Sequence, residues 1–223
     1  MNWLRILRFL SVVLLALGIG RTASAAIWAE VGEAGDLLPT SNLIFPDNPV
    51  MSVSAITGAL SANPADGPDY VDLFRFYIRD GSSFSANTGD GSDPNLIADP
   101  VLYLFDALGK AVFMNDEGGG FGQAVLGALP AGYGSGFYYL AIAYAGTTPL
   151  DGLGGDMFDA FGSLAVLSTD SLAGWTGGPF SPNFDLEGHY LISLTGVTNV
   201  PEPGTLLLLL SAGLIALRVQ RRR

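Results

Sequence analysis

Phe137 to Gly146 run FYYLAIAYAG, without one charged side chain. Side chains of a strand alternate between the two faces of its sheet, so a run apolar at odd and even positions alike needs cover on both faces. That requirement makes this segment a central strand. Working outward, VDLFRFYI (Val71 to Ile78) sets Phe74, Phe76 and Ile78 on one face and Arg75 on the other, the period of a half-buried strand. VLYLFD (Val101 to Asp106) leads through ALGK into AVFMND, which reads as a hairpin. HYLISLTGV (His189 to Val197) reads as a last strand. DMFDAFGSLAVL (Asp156 to Leu167) is the one stretch that suits a helix. Short strands with Gly, Asp, Asn and Ser between them predict an all-β fold, a β-sandwich.

The composition agrees. The chain of 223 residues holds 30 glycines, about twice the usual share, clustered like turns and without a triplet period. It has no cysteine, which excludes disulfide scaffolds, zinc-thiolate sites and thiol catalysis. All 21 acidic residues fall between Ala26 and Pro203, opposed there only by Arg75, Arg79 and Lys110, so that body carries a formal charge of −18. Such a charge repels nucleic acid, which is excluded as a partner, and favours divalent cations.

Both ends read as addresses. Arg5 and Arg8, the apolar run from Phe9 to Ile19, and Ala23-Ser24-Ala25 form a signal peptide over residues 1–25, with Ala23 and Ala25 as the small residues of the cleavage site. At the other end, Thr205 to Leu217 is an apolar run. As a helix it reaches about 20 Å against roughly 30 Å of hydrocarbon, a marginal span. Pro201 and Pro203 resist a helix before it, and Arg218, Arg221, Arg222 and Arg223 favour the cytoplasmic side after it. The order of Val200-Pro201-Glu202-Pro203, leucine run and Arg221-Arg222-Arg223 resembles the PEP-CTERM sorting signal of Gram-negative bacteria. The resemblance covers residues 199–223. It implies a membrane-anchored precursor that sits transiently in the inner membrane, with the secretion machinery and an exosortase as partners. Its destination would be the cell surface or an extracellular polysaccharide matrix.

The body, residues 26–198, is similar to the bacterial pre-peptidase C-terminal (PPC) domain. The resemblance rests on DYVDLFRF, DPVLYLFDALGKAVFMNDEG, AGYGSGFYYLAIAYAG and GHYLISLTG, taken in that order. It implies a compact jelly-roll-like sandwich, interrupted here by an insertion over about 146–183.

No catalytic residue is assigned. His189, the only histidine, follows a turn glycine and is expected to face solvent, and GYGSG lacks the frame of a nucleophile elbow. Calcium is the ion that the carboxylates suit, since it takes hard oxygen ligands and extracellular sites can be weak. Glu30, Glu33 and Asp36 near the mature start, with Asp66, Asp69 and Asp72 before the aromatic strand, are the clusters that a sandwich can bring together. The PPC resemblance implies the same, because some such domains bind calcium in related acidic regions. GGDMFD shares one fragment with calcium-binding nonapeptide repeats but lacks the tandem array. Asp80, Asp90, Asp116 and Glu117 read as turn formers. Trp175 and Tyr133 are aromatics in glycine-rich loops that could meet a sugar. The expected function is that of a noncatalytic exported surface or matrix protein. The alternatives are a calcium- or polysaccharide-binding module and, last, a secreted hydrolase.

Overall fold

The computed structural model describes residues 26–44, 52–61, 69–89, 96–119, 122–159, 165–179 and 187–198. The signal peptide, the sorting tail with its Thr205–Leu217 run, Asp66 and Asp90 lie outside these residues. Among the described residues no helix is long and apolar enough to cross a membrane.

The chain is all-β. Its strands are β1 (Ala26–Ala29), β2 (Asn42–Leu43), β3 (Val53–Ser61), β4 (Val71–Ile78), β5 (Ser85–Asn87), β6 (Pro100–Asp106) and β7 (Ala111–Asn115). They continue with β8 (Val125–Leu126), β9 (Gly136–Tyr144), β10 (Thr147–Asp151), β11 (Leu172–Gly177), β12 (Glu187–Thr195) and β13 (Val197–Thr198). One sheet has the order β1-β3-β12-β5-β8. The other has the order β13-β4-β9-β6-β7, with β2 pairing β4. Most ladders are antiparallel, whereas β1 joins β3 and β2 joins β4 in parallel.

The FYYLAIAYAG segment lies where its composition requires. β9 pairs with β4 on one side and β6 on the other, and Tyr138 through Tyr144 are all buried. Alternate residues serve two cores. Leu140 and Ile142 join Phe74, Phe76, Leu104 and Ile192 between the sheets, while Tyr139, Ala141 and Ala143 face a second cluster with Tyr103, Phe105, Met157 and Phe158. The first sheet has only one covered face. Along β12 the buried Tyr190, Ile192 and Leu194 alternate with exposed His189, Leu191, Ser193 and Thr195, the pattern of a sheet wet on one side.

The second cover comes from the chain that follows β9. β10 and β11 form an antiparallel ribbon laid over the outer face of the β4-β9-β6 sheet. Tyr103 Oη donates to Thr147 O at 2.8 Å, and Leu172 N donates to Gly109 O at 2.9 Å, which pin both strands of the ribbon down. The helix expected over Asp156–Leu167 is replaced by extended chain where it is described. Asp156 bridges Leu150, and Phe158 bridges Val166 in antiparallel fashion. Met157 N donates to Pro149 O, so the edge of β10 takes the backbone groups that a helix would have paired within itself. Met157 and Phe158, 0 % and 1 % exposed, both enter the second core.

The β6–β7 hairpin turns through Ala107 to Lys110. Asp106 Oδ1 accepts from Leu108 N and Lys110 N, and Gly109 takes a φ of 78°, a conformation that glycine adopts without steric cost. At Gly196 (φ 71°) the chain passes from one sheet to the other, β12 belonging to the first and β13 to the second.

Candidate functional site

The parallel pairing of β1 with β3 carries the chain after Ala29 across the first sheet, where Glu30 N donates to Thr57 O. The Glu30 carboxylate is then fixed by backbone donors. Oε1 accepts from Ala34 N at 3.0 Å and Oε2 from Ala59 N at 3.3 Å. Leu73 N donates to Gly35 O, which ties the same head segment to β4. These contacts bring together residues forty positions apart. Carboxylate oxygens of Glu30, Glu33 and Asp72 all lie within 4.8 Å of one another.

Asp72 is the unusual member. Its neighbours in β4 are apolar, and it is 0 % exposed. Oδ2 accepts from Tyr190 Oη at 2.5 Å, whereas Oδ1 is buried without a hydrogen-bond partner. A buried, unpaired carboxylate oxygen is costly. Burial pushes the Asp72 carboxyl up to about 9, opposed by the Tyr190 hydrogen bond and assisted by the charges of Glu30, Asp69 and Glu33. Asp69 is pushed up to about 7, first by burial and then by the Glu33 and Glu30 charges. Glu30 is raised as well, mainly by burial. Burial and the Asp72 charge raise the Tyr190 hydroxyl in turn. Without a cation, the cluster holds protons that ordinary carboxyls release well below neutrality.

Of the six carboxylates singled out as calcium ligands, Asp66 lies outside the described residues, three converge, and Asp69 hydrogen-bonds Glu33 at their edge. Asp36 does not join them. Its side chain is exposed, and its backbone oxygen accepts from Trp175 Nε1 at 2.6 Å. That bond places Trp175 against the head segment, with its ring edge-on to Tyr103 and Phe105 at 5.6 and 6.2 Å between centroids. A cleft of about 500 Å³ opens there, and Glu33 and Asp69 border it from the carboxylate side. Tyr133 stands in a separate turn, where its N–H donates to Pro130 O.

The remaining candidates are placed plainly. His189 is exposed on β12. Asp80 caps its own turn, accepting from Ser82 N and Ser82 Oγ. Asp151, not singled out from the sequence, closes the next turn by accepting from Leu153 N, Gly155 N and Ser168 Oγ. Sequence reading missed two residues of the cluster, Tyr190 and Gly58. A Cβ at Gly58 would collide with Tyr190 Oη and Glu30 Oε2. Glycine inside the strand AITGALS was a readable sign of such a close approach.

Residues 199–223 match the PEP-CTERM protein-sorting motif. The motif implies an exosortase-processed protein of the cell surface or extracellular space, exported and membrane-anchored before processing. No curated protein matches the chain.

Proposed function

We propose that this is a noncatalytic surface or matrix protein whose PPC-like β-sandwich is an interaction module locked by calcium. The observation that carries the calcium reading is Asp72 Oδ1, fully buried and unpartnered beside two further carboxylates. The donor set fits the ion. Calcium takes hard oxygen ligands at about 2.3–2.6 Å, so two oxygens on one ion stand at most roughly 5.2 Å apart. The oxygens of the three carboxylates, all within 4.8 Å of one another, meet that limit. Glu30, Glu33 and Asp72 would hold the ion, with Asp69 orienting Glu33. Calcium would supply the charge that lets these carboxyls ionise, and so would clamp the head segment onto β3, β4 and β12.

The rest of the reading concerns the journey. The signal peptide is cut after Ala25, which leaves β1 at the mature start, and the host is Gram-negative. Exosortase acts at Val200 to Pro203, and the destination is the surface or a matrix of extracellular polysaccharide. The PPC likeness is supported by the quoted segments, which fall on β4, β6–β7, β9 and β12 in that order.

Calcium titration of the full-length protein tests the metal reading. Saturating calcium should raise the melting temperature, magnesium at equal concentration should do so far less, and bound calcium should be near one per chain. An unchanged melting temperature would refute it, because a ligand bound only by the folded state must stabilise that state.

A further inference from the structure

The strand registers give the sandwich two unlike ends. Asp69 precedes β4, Asp99 precedes β6, Asp116 and Glu117 follow β7, and Glu187 opens β12, all at one end. At the other end β4 runs into Arg79, the β6–β7 turn carries Leu108 and Lys110, and the turn before β9 carries Tyr133. The β10–β11 ribbon reaches the same end, because Leu172 N donates to Gly109 O and Asp151 pairs with Leu172 just before the turn of Leu153. The loop tips here are apolar. Leu153 is 90 % exposed, Leu108 66 % and Tyr133 38 %. On the sheet face behind them Tyr77 and Phe137 meet edge to face at 5.3 Å, and the Arg75 guanidinium lies 4.6 Å over the Phe137 ring. Arg75, Arg79 and Lys110, the basic residues of the body, thus all lie towards this end. Carboxylates occur here too. Asp80, Asp106 and Asp151 are bonded to N–H groups of their own turns, and Asp156 and Asp170 stand beside the ribbon.

The path of the chain says what meets these tips. Thr198 pairs with Tyr77, so the chain leaves the sandwich at this end. Residues 199–204 alone separate it from the apolar run that begins at Thr205, and fully extended they reach at most about 22 Å. We infer that this end is a membrane-docking face, in which Leu108, Leu153 and Tyr133 enter the lipid interface while Arg79 and Lys110 meet lipid phosphates. The inference rests on the membrane-anchored precursor that the sorting motif implies, whose short tether keeps this end beside the bilayer. Exposed leucines gain by leaving water, and tyrosine and basic side chains favour the headgroup level. Docking also turns the acidic end, with Asp99, Asp116 and Glu117, away from the phosphates that would repel it. A domain so seated holds Val200 to Pro203 at the bilayer surface.

The chain has no cysteine, so a single introduced one takes a fluorophore at one place. Leu108→Cys, Leu153→Cys, Glu117→Cys and, in the apolar run, Leu210→Cys are each labelled in the full-length protein and reconstituted in phosphatidylcholine vesicles, part of whose acyl chains carry bromine. Bromine should quench Leu108→Cys and Leu153→Cys and spare Glu117→Cys. Leu153→Glu should restore emission at Leu108→Cys with the melting temperature kept, since that side chain packs on little. Unquenched tips would overturn the docking, and so would equal quenching at Glu117→Cys, which means no preferred orientation. Full quenching of Leu108→Cys despite Leu153→Glu would overturn it as well. Blue-shifted but unquenched tips in a protein of dimeric mass would give the leucines to a second copy instead. Leu210→Cys reads the anchor separately. Quenching there but not at the tips would show a tail that inserts under a domain that does not dock, and the reverse would refute the anchor while the docking stood.

Discussion

Replacing Asp72 by Asn separates the two burdens that this side chain places on the fold. The carboxyl titrates at about 9 in the native protein, against 3.8 ordinarily. A raised carboxyl stabilises the fold fully below its unfolded pKa and loses that contribution as pH climbs towards the folded value. Between about pH 4 and 9, therefore, the calcium-free protein should lose roughly 1.4 kcal/mol per pH unit from Asp72 alone. In a domain of roughly 180 residues that is about 3–5 °C of melting temperature per unit. Asn cannot ionise, yet its amide oxygen can still accept from Tyr190 Oη. In EDTA the Asp72→Asn protein should accordingly melt above the wild type at pH 8, with the gap closing towards pH 5. Calcium should reverse the order. At a hundred times its dissociation constant it adds about 2.7 kcal/mol to the wild type, or roughly 5–10 °C, and almost nothing to the variant. Differential scanning calorimetry across pH 5 to 8, with EDTA and with calcium, reads all four states. A wild-type melting temperature in EDTA that holds or rises over this range would refute the protonated, buried carboxyl. A variant that gained as much from calcium as the wild type would refute Asp72 as a ligand.

Gly58→Ala should destabilise the protein by about 1–3 kcal/mol, since its methyl group would meet Tyr190 Oη and the Glu30 carboxylate; chemical denaturation measures the loss, and the calcium response should fall with it. Tyr190→Phe strips Asp72 of its one hydrogen-bond donor and should cost about 1–3 kcal/mol in EDTA. Because that bond holds the carboxyl down, its loss should also move calcium uptake to higher pH, which a binding isotherm at several pH values will show. Deleting Pro201 to Pro203 should leave an unprocessed precursor in the membrane fraction, and a product of unchanged size and location would show that the motif is not used.

The strands were legible because their two periods were plain. VDLFRFYI fell on β4 residue for residue, and the two-sided apolar character of FYYLAIAYAG forecast its central position. The helix over Asp156–Leu167 failed for a physical reason. Met157 and Phe158 are apolar because they cover the outer face of a sheet, and local periodicity cannot distinguish that from one face of a helix. The expectation that a sandwich brings the Glu30–Glu33 segment against Asp72 came from charge and sandwich topology together, and these three carboxylates do lie near one another. The misplacement of Asp36 shows where charge stops helping. Glu30 is oriented by two backbone donors on Ala34 and Ala59, and no sequence period encodes those bonds.

The buried carboxylate also bears on why the β10–β11 ribbon and the head segment belong together. β4 carries Asp72 between the apolar Val71 and Leu73, so the strand brings a carboxyl into the core whatever lies outside. Tyr190 reaches it from β12 and Glu30 from the stretch after β1, so the cluster is complete only when the head segment has docked on the first sheet. Trp175 reaches the same docked segment from the ribbon on the opposite layer, through Asp36 O. The head segment is therefore held from both layers of the sandwich, by carboxylates on one side and an indole on the other. An ion that tightened the first hold would also firm the cleft that the second one walls, so a fold without disulfides would couple ion binding to the shape of that cleft.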